Sequence, residues 1–150
     1  MLVICYLRKG TIYVPTAART EAGFYLIVEP VSVMDVNDAN ALRRALKEAI
    51  ARGNPTIPTP PRNNYPEPVM PKYAGVRSLR AFERGTRLWH IRSHARFAEG
   101  AYQIVGQRHE PNGSWFDDPE QTITFPLGTN IELVIDRLIA ILTAATSAED

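Results

Sequence analysis

Cysteine is almost missing from this chain: Cys5 stands alone, so no disulfide can close within it. That scarcity favours a reducing compartment. Long apolar runs are missing too. Glu132, Asp136 and Arg137 interrupt the most apolar segment, which excludes a membrane-spanning helix there. The opening MLVICYLRKG has no basic stretch before its apolar run, and the run is too short for a secretory signal. A cytoplasmic protein is expected. There is no Gly-rich phosphate loop, no zinc-ligand spacing and no RRM or KH signature. Ser114 and Thr16 have no partner set that would make either a nucleophile, and Cys5 reads as a small core residue within a strand.

Basic charge is absent from 110–136, where six acids occur without one Lys or Arg. The stretch from Lys72 to His109 is the reverse, with eight Lys/Arg, two acids (Glu83 and Glu99) and all three histidines. A formal net charge of +1 conceals this split. Opposed charge blocks matter because surface potential decides which partners a small protein meets and how fast. The basic block is arginine-rich: Arg77, Arg80, Arg84, Arg87, Arg92, Arg96 and Arg108 against Lys72 alone. Guanidinium favours directional, bidentate recognition of carboxylates or phosphates over diffuse attraction.

What is present suffices for one domain. A chain of 150 residues with 45% hydrophobic content can bury a real core. Leu2–Leu7 and Thr11–Val14 flank Lys9-Gly10 as a hairpin, with Leu7 opposite Ile12 and Cys5 opposite Val14. A third strand run covers 23–36, where Pro30 should bulge it or end it. Asp38 then caps a helix over about 38–52, closed by Gly53 and Pro55. Seven prolines between Pro55 and Pro71 make 54–71 an extended surface connector, ordered by Ile57, Tyr65 and Val69. A ligand for a proline-recognising groove is the other reading of that stretch.

A short helix from Ser78 to Arg84, stopped by Gly85, leads to a second antiparallel set. In 86–97 Trp89, Ile91 and Phe97 share one face, while His90, Arg92, His94 and Arg96 line the other. Ala101–His109 returns with Tyr102 and Ile104 inward, Asn112-Gly113 makes a hairpin turn, and Gln121–Phe125 is the last strand. Thr129 and Glu132 form a capping box for a C-terminal helix over about 130–146. The expected class is α+β: a mostly antiparallel sheet of about six strands with two main amphipathic helices.

Candidate chemistry is sparse. His90 and His94 on one strand lie roughly 13 Å apart, too far to chelate one ion readily. If Ala98–Ala101 is a four-residue loop, His90 sits opposite His109 and Arg92 opposite Gln107. Two imidazoles beside an arginine could then serve as acid, base and phosphate clamp in RNA cleavage. The plainer reading is a solvated polar face. Asp117-Asp118-Pro119-Glu120 could hold Mg²⁺ only with further ligands, and Pro119 suggests a turn. No cofactor and no metal are expected. Trp89, Phe97 and Tyr102 point inward, which leaves no stacking platform for single-stranded nucleic acid.

Several phrases carry a family resemblance: Gly23-Phe24-Tyr25-Leu26 through Glu29-Pro30-Val31, and Arg52-Gly53-Asn54-Pro55 through Pro58-Thr59-Pro60. Others are Lys72-Tyr73-Ala74-Gly75-Val76, Ala81-Phe82-Glu83-Arg84, Asp118-Pro119-Glu120-Gln121 through Phe125-Pro126, and Val134-Ile135-Asp136-Arg137. With them the chain resembles immunity proteins of bacterial contact-dependent growth-inhibition systems. The resemblance implies a cytosolic antitoxin that binds the C-terminal toxin domain of its own system, without turnover. It transfers no binding residues. From the charge pattern, the expected partner contacts are Arg92, His94, Arg96, Arg108, Asp117, Asp118 and Glu120. The competing expectation is an RNA-binding or RNA-cleaving protein using His90, Arg92 and His109. A third is that the opposed charge blocks drive only self-association.

Overall fold

The computed structural model describes residues 1–93 and 101–149. Strands β1 (Leu2–Arg8) and β2 (Thr11–Thr20) form the opening hairpin, with Leu7 opposite Ile12. Lys9 and Gly10 both take positive φ, 49° and 75°, which suits the turn to the right-handed twist of the strands it joins. Strand β3 (Tyr25–Asp35) pairs with β2 and contains Pro30. Val14 pairs with Ser32 but Thr16 with Val28, so residues 29–31 bulge opposite Pro15. Helix α1 (Ala39–Arg52) is capped by Asp38, whose carboxylate accepts from the Ala41 amide at 3.1 Å. Gly53 ends it at φ 69°.

The proline-rich stretch supplies a two-residue strand, β4 (Thr56–Ile57), parallel to the outer end of β2. Proline permits this because β4 needs few amide donors at the rim of the sheet. Helix α2 (Met70–Ala74) begins inside the expected connector, with Pro71 in its first turn, where a missing N–H costs nothing. Helix α3 (Leu79–Glu83) is capped by Ser78. Strands β5 (Thr86–Arg92), β6 (Gln103–His109) and β7 (Trp115–Thr124) and helix α4 (Ile131–Glu149) complete the chain.

The strands make one sheet in the order β3-β2-β1-β5-β6-β7, antiparallel throughout, with β4 alongside β2. The α+β class is as expected, and β4 is the strand that raises about six to seven. One face carries Val3, Cys5, Leu7, Trp89, Ile91 and Ile104 beneath α1 and α4. Leu42, Leu46, Ile135, Leu138 and Leu142 of those helices are fully buried. Each such side chain stabilises the fold by roughly 1.5–3 kcal/mol. The other face packs Ile4, Tyr6, Tyr13 and Leu88 under Met70 of α2 and Phe82 of α3. The Phe82 ring stands edge-on to Tyr6 and Tyr13, with centroids at 5.2 and 5.6 Å.

The C-terminal helix departs from expectation at its start. Thr129 and Glu132 do not form a capping box; the Asn130 side chain accepts from the Glu132 amide at 2.9 Å, while the Thr129 hydroxyl donates to the Pro126 carbonyl. Asparagine caps at least as well as threonine, and it begins the helix one residue later. Glu132 is thereby left to pair with Lys47 at 2.6 Å, and Asp136 with Arg43 at 2.6 Å, tying α4 to α1. No helix among the described residues is long and apolar enough to cross a membrane.

Candidate functional site

Alternation along β5 places Leu88, His90 and Arg92 on the face that α2 and α3 cover. Leu88 lies inside that cover, His90 at its margin and Arg92 beyond it. A bulge in the next strand pair brings a carboxylate to meet them. Val105 pairs with Thr122, but Gln107 pairs with Asp117, so residues 118–121 of β7 stand opposite Gly106 alone. The segment Asp117-Asp118-Pro119-Glu120, expected to be a turn, is thus part of an edge strand, paired at Asp117 and bulged beyond it, where proline is tolerated. Asp118 braces it, accepting from the Glu120 amide and from the Gln121 side chain, each at 3.0 Å.

Asp117 is the centre of a closed polar cluster. Arg92 donates from both terminal nitrogens to its two oxygens, at 2.6 and 2.7 Å, and Gln107 donates to Oδ1 at 2.7 Å. The bonds from Arg92 hold the Asp117 carboxyl down at about 2, although partial burial opposes them. Arg92 Nη2 also donates to His90 Nδ1 at 2.9 Å, which leaves the proton of the neutral ring on Nε2. Burial, and then the Arg92 charge, push His90 down to about 4. At neutral pH His90 is uncharged, with its one lone-pair nitrogen already used.

Of the expected contact residues, the structure joins Arg92 to Asp117 and separates the rest. Arg108 pairs with Phe116 and alternation turns both to the opposite side of the sheet, where Arg108 meets Glu110 at 2.8 Å. Asp118 is occupied within the bulge, and Glu120 is exposed. His94 and Arg96 lie outside the described residues, as do Phe97 and the expected 98–101 loop, apart from its last residue.

The expected opposition of His90 and His109 is not formed. His90 pairs with Val105 and Arg92 with Gln103, a register displaced by four residues. An even displacement keeps every side chain on its face, so alternation alone could not detect it. Partner chemistry could have done so. The observed register sets Ile91 against Ile104, whereas the expected one would set Ile91 against Arg108. His109 stacks on Trp115 instead, with centroids at 4.3 Å, and its Nε2 lies 3.4 Å from Glu83 of α3.

A glycine of β6 also shapes the site. Gly106 has no room for a side chain, because a Cβ there would lie 2.6 Å from Cβ of Gln121. A glycine inside a strand signals a bulge or a close approach, and here it marks both. Cys5 lies apart from the site as the core residue expected: it is fully enclosed, and burial raises its thiol to about 12, so it is inert. Among the described residues no group of three or more His, Cys, Asp or Glu is placed to hold a metal ion.

No protein-family model matches the chain, and no curated protein does. Among solved structures, a protein of unknown function from Neisseria meningitidis is similar, with a TM-score of 0.62 and 15% identity. The match covers 98% of this chain and 93% of that one. At that identity the similarity concerns the fold alone, from the opening hairpin to the final helix.

Proposed function

We propose that the protein is an immunity protein: it binds the toxin domain of its own growth-inhibition system in the cytosol and blocks it stoichiometrically, without turnover. The observation that supports this reading best is the closure of the Arg92–Asp117–Gln107–His90 cluster. A general base needs a free lone pair and a pKa near working pH. His90 has its Nδ1 engaged by Arg92 and a pKa near 4. Such a cluster stiffens a surface more readily than it moves protons, and a rigid surface suits tight binding because little freedom is lost on association.

The sequence resemblance adds the class of the partner, a C-terminal toxin domain. The test starts from the neighbouring gene: where it encodes a large secreted protein, the C-terminal domain of that protein is co-expressed with this chain. The expected outcome is restored growth of cells making that domain and a one-to-one complex on size-exclusion chromatography. A purified pair that elutes separately would sink the reading, and so would release of tRNA fragments by the chain alone.

A further inference from the structure

Among the described residues, part of the opposed charge in this sequence is neutralised within the fold. Arg92 meets Asp117, Arg108 meets Glu110, and the helical acids Glu132 and Asp136 meet Lys47 and Arg43. Arg77, Arg80 and Arg84 stand outside these pairs: all three are exposed, and none has an ion pair or side-chain hydrogen bond among the described residues, and Arg77 and Arg80 line clefts. Arg77 and Arg80 flank Leu79, which is 38% exposed at the start of α3.

Leu79 is also where three clefts meet. One of about 270 Å³, mostly apolar, runs between β3 and the proline-rich stretch, walled by Tyr25, Tyr65 and Val69. A second, of about 500 Å³, is lined by Arg77 and Lys72. A third, of about 340 Å³, is lined by Arg80 and His109. We infer that this three-armed depression is the docking surface for the toxin domain, receiving one apolar side chain in the Tyr25–Tyr65–Leu79 arm and flanking carboxylates on Arg77 and Arg80. The inference rests on the immunity reading and adds to it the place of contact and the chemistry of the partner.

Charge and shape point the same way. An arginine without a partner can offer both terminal nitrogens to a carboxylate, whereas Arg92 must first release Asp117. Interface energy concentrates where a buried anchor is ringed by such groups. RNA fits less well, because a phosphate chain needs a continuous cationic track, which Glu67 and Glu83 interrupt, whereas two separate carboxylates need only Arg77 and Arg80.

Binding of the toxin domain is measured for wild type, Leu79→Asp, Arg77→Glu/Arg80→Glu, and a control, Arg44→Glu/Arg137→Glu, whose exposed arginines lie on α1 and α4. Circular dichroism and melting identify variants that keep the fold. The double reversal at positions 77 and 80 changes only exposed groups, so it decides the matter if Leu79→Asp misfolds. Its expected effect is a Kd weakened roughly 30-fold or more, mostly through slower association, with the control within about twofold of wild type. Binding unchanged in Arg77→Glu/Arg80→Glu, or equally weakened in the control, overturns the docking surface and leaves the immunity reading standing. Wild-type protein that fails to bind the toxin domain overturns both. A dimer of this chain dissolved by Leu79→Asp, or tRNA binding lost in the double reversal, assigns the depression to another occupant and overturns it as well.

Discussion

Arg92 grips both carboxylate oxygens of Asp117, and with that one pair the basic block of the sequence meets the acidic block inside a single molecule. The Arg92 side chain is only 19% exposed, so its bonds are screened less than those of an ordinary surface pair. The same guanidinium donates to His90 and thereby links the cluster to the margin of the core. Charge segregation along a chain need not become charge segregation on a surface.

The first prediction concerns pH. His90 is lowered from 6.5 to about 4, with burial the main cause. Between those values the unfolded chain binds a proton that the folded chain does not. Stability therefore falls as pH drops through that window and levels off below it. Asp117, held at about 2, adds a further loss between about pH 4 and pH 2, because its stabilisation disappears as the carboxylate is protonated. Urea unfolding at about pH 7 and about pH 4.5 should show wild type losing on the order of 1–3 kcal/mol more than His90→Gln. Equal losses in the two proteins would assign the acid sensitivity elsewhere.

A second prediction tests the edge bulge. Gly106→Ala would bring a methyl group to 2.6 Å from Cβ of Gln121. Overpacking of this kind costs typically about 1–3 kcal/mol. The contact is with Cβ itself, so Gln121→Ala should not relieve it, whereas Gln121→Gly should. Denaturant midpoints for the double-mutant cycle give the coupling directly, and additive effects would show that β7 sits away from Gly106.

The third concerns Asn54, which carries the end of α1 into the sheet. The β1–β2 pairing runs from Tyr6 to Arg8, and beyond it the Asn54 carboxamide spans the two strands. It donates to the Leu2 and Ala17 carbonyls at 2.8 Å each and accepts from the Leu2 amide at 3.0 Å. Asn54→Ala leaves these partly buried backbone groups unpaired, a loss of about 2–3 kcal/mol. Amide exchange at Leu2 should accelerate far more than exchange at Leu7. Uniform acceleration would mean a global loss rather than a local opening between the strands.

Much of the fold is legible in the residues because its signals are local. Lys9-Gly10 specifies a tight turn, Asp38 and Gly53 bound a helix, and Pro30 marks a bulge, each through constraints that act over a few residues. The cap of α4 is ambiguous in the residues because Thr129 and Asn130 are both competent and adjacent. The site was harder to read. Its geometry depends on which residue of β6 faces which residue of β5 and β7, and hairpins with different loop lengths can preserve the same alternation.

The sequence by itself determined which side chains share a face. Period-two alternation buries Trp89, Ile91 and Ile104 and turns His90 and Arg92 the other way, whatever the register. Tertiary structure alone decided who meets whom. The four-residue register displacement took His109 from His90 and gave it to Trp115 and Glu83. The bulge at Gly106 set Asp117 opposite Gln107 and within reach of Arg92. The physical reason is that an imidazole or a carboxylate is indifferent to which polar neighbour faces it until packing elsewhere chooses the register, and here Ile91 against Ile104 and Gln121 over Gly106 made that choice.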